Sequence, residues 1–169
     1  MAGVRWRARG LGVARRVLAG SVLALCAAAP AAAHDRHAGY YYPPPSTTEV
    51  YTARALTLAD ASREMRLGFV VGMTAKMASA PYPPQFVIFA KGEHAQKLIV
   101  VALGEGYIDT LYRARALFAM LTSAARSNPF LNELGVAEFF TFFDLAKLLG
   151  FTQITISDGD AFAHQVIIE

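Results

Sequence analysis

The chain has 169 residues, with 16 basic and 13 acidic side chains and a formal charge of +3. Five arginines lie within residues 1–16, where there is no acid. Without the first 33 residues, 11 basic residues face 13 acidic ones, a formal charge of −2. This charge argues against nucleic-acid binding, which needs a basic surface to neutralise phosphates. The remaining residues suffice for one domain with a hydrophobic core.

Residues 1–33 have the organisation of a secretory signal peptide. An arginine-rich start precedes an apolar run at 17–29, and small residues follow at 31–33. We predict cleavage after Ala33, with His34 as the new N-terminus and a periplasmic or secreted mature protein. An uncleaved membrane anchor is less favoured, because the apolar run is shorter than the roughly 20 residues of a spanning helix. We therefore predict no transmembrane segment after cleavage.

Two variants of this leader stay open. The sequence LALC at 23–26 resembles a lipoprotein box in which Cys26 is acylated, although Leu25 is bulky for that position. The Arg15-Arg16 pair could instead serve as a twin-arginine export signal. Cys26 is the only cysteine of the chain, so a chain cleaved after Ala33 has no disulfide, thiol nucleophile or thiolate metal site.

The segment 34–48 is predicted to be a flexible tail rich in tyrosine and proline. Its three consecutive prolines at 43–45 exclude a helix, because proline lacks the N–H group and fixes φ. Residues 49–169 are then predicted to form a single domain.

Six strands are predicted from β-branched content and period-two alternation, at 50–58, 65–77, 86–90, 98–103, 151–157 and 164–168. Residues 86–90 and 98–103 are apolar throughout, which is typical of central strands covered on both faces. In 65–77, Leu67, Phe69 and Val71 carry the alternation.

Two helices are predicted, at 107–126 and 136–149. The first has apolar residues at spacings of three and four and ends before Asn128-Pro129. The second ends at Gly150, a favourable C′ residue. The order β-β-β-β-α-α-β-β predicts an α+β fold with a mainly antiparallel sheet and both helices packed on one face.

The sequence lacks several short catalytic motifs. It has no Gly-Lys pair for a Walker loop, no G-x-S-x-G elbow, no H-E-x-x-H pair and no EF-hand loop. Gly104-Glu105-Gly106 lies where a phosphate could bind a helix N-terminus. Glu105 and Asp109 already place negative charge there, so we interpret this segment as a tight turn. No catalytic or cofactor-binding residue is assigned.

Two groups of residues are candidate metal ligands. His34 and His37, with the predicted free amine, offer nitrogen ligands that suit copper or zinc. Asp158, Asp160 and His164 cluster on the last predicted hairpin, where they could bind a metal or move protons. In both cases we favour the simpler interpretation, a solvated tail and a pair of turn-forming acids.

The predicted second helix carries Phe139, Phe140, Phe142 and Phe143 on an unusually wide apolar surface. Such a surface exceeds what one sheet face covers, so the first helix, a second subunit or an apolar ligand is expected to cover the rest. We favour packing within the domain. A homodimer or an envelope protein that binds these phenylalanines is the next interpretation.

Five segments carry a family resemblance: 49–55 (EVYTARA), 89–92 (FAKG), 111–116 (LYRARA), 139–150 (FFTFFDLAKLLG) and 151–159 (FTQITISDG). They make the chain resemble a family of small exported proteins of unknown function, mostly from alphaproteobacteria. Some members are labelled molybdopterin-guanine dinucleotide biosynthesis protein A. That enzyme resembles a Rossmann-type nucleotidyltransferase with an L-x-G-G opening, whereas this chain has no Gly-Gly pair. No catalytic residue is therefore carried over.

Three functional hypotheses result. The first is a non-enzymatic periplasmic binding or interaction module. The second is a metal-binding protein or enzyme that uses Asp158, Asp160 and His164. The third, less favoured because of the export leader, is a molybdenum-cofactor guanylyltransferase.

Overall fold

The structure is a computed structural model that describes residues 43–127 and 129–169, without the side chain of Phe130. The predicted leader, its cleavage site, and His34 and His37 lie outside these residues. The elements in chain order are β1 (Thr47–Tyr51), α1 (Arg63–Ala78), β2 (Phe86–Lys91), β3 (Lys97–Ala102), α2 (Leu111–Arg126), α3 (Pro129–Glu133), α4 (Phe142–Leu148), β4 (Gln153–Ser157) and β5 (Ala163–Ile168).

The five strands form one mixed sheet in the order β1-β5-β4-β3-β2. The hairpins β2–β3 and β4–β5 are antiparallel, as predicted, whereas β3 pairs with β4 and β1 pairs with β5 in parallel. The α+β class is confirmed, but the prediction of a mainly antiparallel sheet is matched only in part, because two of the four strand pairs are parallel. The chain between β3 and β4 passes through α2, α3 and α4, a crossover long enough to return the next strand in the same direction.

The predicted strand at 65–77 is wrong, because this segment lies within the helix α1. The Ser62 side chain accepts a 3.2 Å hydrogen bond from the Met65 N–H and caps the helix. Phe69 and Met73 are spaced by four, which satisfies both a period of two and one helical turn. Val71, which supported only the strand pattern, is 67% exposed.

The predicted strand at 50–58 and the predicted helix at 136–149 have different bounds in the structure. Most of the predicted strand at 50–58 is wrong, because only residues 50 and 51 lie in β1, which begins at Thr47, within the predicted tail, and ends at Tyr51. The helix predicted over 136–149 is shorter, because α4 begins only at Phe142. Residues 136–140 form turns, in which the Phe139 and Phe140 N–H groups both donate to the Val136 carbonyl at 3.0 Å.

The helix α2 begins at Leu111 rather than at 107. Thr110 is its N-cap, and its hydroxyl accepts a 3.3 Å hydrogen bond from the Arg113 N–H. Asp109 precedes the cap and pairs with Arg113 at 2.9 Å. The buried residues of α2 recur at helical spacings, as the apolar pattern predicted: Ala114, Leu117, Phe118, Leu121 and Ala125.

One face of the sheet forms the main hydrophobic core together with the helices. Leu98 and Val100 of β3 are fully buried there, beside Ile154 and Ile156 of β4. Side chains of α2 and α4 pack on this face: Phe118, Leu121, Phe142 and Leu145. β3 is a central strand, as expected, but β2 lies at the sheet edge.

Within residues 43–127 and 129–169, no helix combines the length and the hydrophobicity that crossing a bilayer requires.

Candidate functional site

A cavity of about 600 Å³ lies between α1, α2 and α4 at the β2 end of the core. This volume is within the roughly 300–1,000 Å³ of ligand pockets in proteins. Its floor consists of buried core residues, and its walls carry methionine and small residues. The described lining residues include Gly68, Phe69, Gly72, Met73, Lys76, Met77, Phe86, Met120, Leu121, Ala124, Phe142 and Leu145.

The α1 wall of this pocket is loosely packed. Among the 16 residues of α1, the only buried side chain is that of Arg66, although the helix carries apolar residues along much of its length. Phe69, Met73 and Met77 are half-buried and line the pocket. A helix with its apolar side chains half-exposed over a cavity leaves hydrophobic surface that a ligand would cover.

Two glycines of α1, Gly68 and Gly72, widen the pocket. They lie one turn apart, and a Cβ atom built on either residue would meet no atom within 4 Å. Glycine inside a helix costs about 0.5–1 kcal/mol relative to alanine. Packing among the described residues therefore does not require these two glycines.

Arg66 fixes α1 to the rest of the domain. It is 7% exposed, and its Nε donates to the His94 carbonyl at 2.9 Å while Nη1 donates to the Leu149 carbonyl at 3.1 Å. These bonds tie the first turn of α1 to the β2–β3 loop and to the end of α4. The remaining turns of α1 are held mainly by the half-buried side chains at the pocket.

Lys76 is the one charged residue among the described residues that line the pocket. It lies in the last turn of α1, and its side chain is exposed. No described carboxylate forms an ion pair with its ammonium group. The pocket is therefore apolar inside, with one unpaired positive charge at its edge.

The α4 wall depends on the buried residue Asp144. Thr141 and Asp144 form a capping box, in which the Thr141 hydroxyl accepts from the Asp144 N–H and the carboxylate accepts from the Thr141 N–H at 2.8 Å. At the other end, Gly150 has φ of +81° and its N–H donates to the Lys147 carbonyl at 2.9 Å. This geometry confirms Gly150 as the C′ residue and holds Phe142 and Leu145 against the pocket.

His164 belongs to a separate cluster at the β1 edge. The imidazole is fully buried, with Nδ1 2.8 Å from the Thr47 hydroxyl and Nε2 3.8 Å from Glu49, which also pairs with Arg115 of α2. Burial lowers the pKa of His164 and outweighs the attraction of Glu49, which by itself raises it. Nε2 of His164 makes no hydrogen bond to a described residue, so Thr47, His164 and Glu49 do not form the continuous hydrogen-bonded relay of an acyl-transfer site.

The cluster around Thr47 and His164 is separate from the pocket between α1, α2 and α4. None of its residues lines the pocket between α1, α2 and α4, and the His164 ring packs against Phe118 with the centroids 6.1 Å apart. We interpret the cluster as a structural link that joins β1 to β5 and α2.

The predicted metal ligands of the last hairpin are not brought together. Oδ1 of Asp158 accepts hydrogen bonds of 2.9–3.0 Å from the N–H groups of Asp160, Ala161 and Phe162, which is a turn-forming role. His164 instead faces the core beside Thr47. In the part of the chain that the structure describes, no three His, Cys, Asp or Glu residues are placed to hold a metal ion.

The four phenylalanines of the predicted interaction surface do not share one face. Phe142 is buried and lines the pocket, whereas Phe139 is 63% exposed. Phe143 packs between Tyr51 and Phe118, with ring centroids 4.6 Å from each. Phe140 is half-buried. Phe139 alone is thus left for an external contact.

Searches of protein-family models, curated proteins and solved structures found no match to this chain. The resemblance to small exported alphaproteobacterial proteins therefore stays a prediction, as does the guanylyltransferase hypothesis.

Sequence reasoning missed both the pocket and Asp144. The helical spacing of Met65, Phe69, Met73 and Met77, with glycines at 68 and 72, was the available signal for an α1 wall. The pattern Thr141-x-x-Asp144 before an apolar run was the signal for the α4 cap.

Proposed function

We propose that this protein is a small exported binding module that holds an apolar ligand in the pocket between α1, α2 and α4. The observation that carries the proposal is the open space beside Gly68 and Gly72, on a helix whose apolar side chains are only half-buried. A bound ligand would complete the burial of Phe69, Met73 and Met77 that the described residues leave unfinished.

The composition of the pocket favours binding over catalysis. A catalytic site brings several polar groups together around the reacting atoms. Here Lys76 and Ser127 are the only described lining residues whose side chains carry a charge or a hydroxyl group. The methionines of α1 and α2 are flexible and polarizable, so they adapt to an apolar ligand.

The test uses the neutral dye Nile red and the purified full-length chain. We expect saturable binding to one site, with dye fluorescence that rises on transfer from water. The variant Gly72→Leu adds a side chain in the open space and should abolish binding while leaving the urea midpoint equal or higher.

The matched control is Ala75→Leu, which adds a leucine to the same helix at an exposed residue outside the pocket lining. It should bind the dye as the wild type does. Non-saturable dye binding to the wild type, or unchanged binding by Gly72→Leu, would contradict the proposed function.

The location in the periplasm rests on the arginine-rich leader and its small residues at 31–33, before the predicted cleavage site. Cell fractionation with intact-mass measurement tests it. We expect an envelope fraction with a mass that begins at His34, and a full-length cytosolic product would contradict the leader.

Self-association is a second candidate function, favoured by the exposure of Phe139. The Phe139 carbonyl accepts a 2.7 Å hydrogen bond from Arg54, which fixes the backbone and leaves the ring outside. If Phe139 forms a dimer interface, sedimentation should give a dimeric wild type and a monomeric Phe139→Ser variant with unchanged stability.

A further inference from the structure

We infer that the ligand of this pocket is a single-chain amphiphile with a carboxylate head, its chain among the methionines and its head at Lys76. This inference rests on the proposed function and adds the chemical class of the ligand.

The shape of the cavity fits an elongated chain. A second cavity of about 340 Å³ adjoins the first, and the two share the lining residues Met77, Ala80, Phe86 and Met120. It continues past the C-terminal end of α1 toward Tyr82 and Tyr107. The apolar space is thus a cleft that runs along the end of a helix, which suits an extended acyl chain better than a compact ring system.

The charge at the cleft specifies the head group. Lys76 projects from the last turn of α1, near the junction of the two cavities at Met77. The described lining of both cavities contains no acidic residue. A ligand carboxylate beside Lys76 would form a charge-assisted hydrogen bond while its chain stays in apolar surroundings.

Because Lys76 is the only cation in the described lining, the ligand head should carry one negative charge. A single ammonium group balances a monoanionic carboxylate, whereas a dianionic phosphate monoester would leave one negative charge without a partner at this site. A neutral head would leave Lys76 without a role in binding, and a cationic head would be repelled.

A lysine in the last turn also interacts favourably with the helix dipole. Lys147 supplies the comparison, because it lies in the last turn of α4 and does not line the pocket. Replacing each lysine by alanine removes the same dipole interaction, and only Lys76→Ala removes the charge from the cleft.

The experiment compares dodecanoate with the uncharged dodecanol, each displacing Nile red from the full-length chain at low ionic strength. We expect the wild type and Lys147→Ala to bind dodecanoate about tenfold more tightly than dodecanol, as one charge-assisted hydrogen bond provides. Lys76→Ala should bind both compounds about equally, and Lys76→Glu should prefer the alcohol.

Equal affinity of the wild type for dodecanoate and dodecanol would overturn the carboxylate assignment and leave the apolar pocket standing. If Lys76→Ala kept the wild-type preference for dodecanoate, the carboxylate assignment would also be overturned and the apolar pocket would still stand. If neither compound displaces the dye and the dye itself does not saturate, the proposed function fails together with this inference.

Discussion

The backbone N–H of Arg54 donates a 2.7 Å hydrogen bond to Oδ1 of Asp144, 90 residues away in the chain. The same fully buried carboxylate accepts hydrogen bonds from the Thr141 N–H and hydroxyl, both at 2.8 Å, and from the Tyr51 hydroxyl at 3.1 Å. Burial alone would raise the pKa of Asp144, but these hydrogen bonds outweigh it and the pKa is lowered. An ionised Asp144 therefore joins β1, the segment after it and α4.

Replacing Asp144 by alanine should lower the free energy of unfolding by about 3 kcal/mol or more. The variant loses the N3 half of the capping box, and it removes the acceptor of partly buried donors of Thr141, Arg54 and Tyr51. Urea unfolding of the two proteins measures the difference.

The control for this prediction is Asp109→Asn, which removes an exposed ion pair with Arg113. It should change the free energy of unfolding by less than about 1 kcal/mol. Similar losses in the two variants would show that Asp144 does not hold the segments together.

The buried His164 should make the domain less stable as the pH falls from about 8 to 5. Its folded-state pKa is lowered from 6.5, so the unfolded chain takes up the proton first and gains stability relative to the folded state. The contribution of neutral His164 is complete above pH 6.5 and is lost as the pH falls toward the lowered folded-state value.

Urea midpoints of the wild type and His164→Leu over this pH range measure the effect. The groups that face the imidazole are Thr47, Glu49 and Arg115. We expect the difference between the two proteins to grow in favour of the variant as the pH falls. A constant difference would mean that His164 does not change its protonation there.

The variant Gly150→Ala should lower the free energy of unfolding by about 1–3 kcal/mol. Gly150 has φ of +81°, and an added Cβ would lie 2.6 Å from Nη1 of Arg66. A double-mutant cycle with Arg66→Ala measures the coupling. We expect the penalty of Gly150→Ala to shrink when Arg66 is absent, and strictly additive losses would contradict a steric conflict between the two.

The variant Gly68→Ala should have the opposite effect to Gly150→Ala, because it should raise the free energy of unfolding by about 0.5–1 kcal/mol. The residue lies inside a helix, and an added Cβ would meet no atom within 4 Å. Urea unfolding again measures the change. A loss of stability in this variant would show that the space beside Gly68 is occupied in the folded chain.

The parts of the fold that local pattern determines were predicted well. The strands β2, β3, β4 and β5 and the helix α2 were located from apolar runs and helical spacing, with errors of a few residues at their ends. Gly150 was identified as a helix end because glycine is the residue that most often follows a helix with positive φ at the C′ position.

The parts that depend on distant contacts were not predictable in this way. The parallel pairing of β1 with β5 joins residues more than a hundred positions apart. The role of Asp144 depends on Arg54 and Tyr51, and the pocket depends on how α1 lies against α2 and α4. The period-two alternation at 65–77 led to the wrong prediction of a strand, because residues spaced by four fit both the period of a strand and that of a helix.

The pairing of β1 with β5 has a consequence for how the chain folds. Thr47 and His164, which meet across this pair, are 117 residues apart. The β2–β3 hairpin and the β3–β4 crossover join segments that are closer together in the chain, whereas β1 pairs only with the last strand. Contacts of such sequence separation close slowly, so the edge with β1 should be the last part of the sheet to assemble.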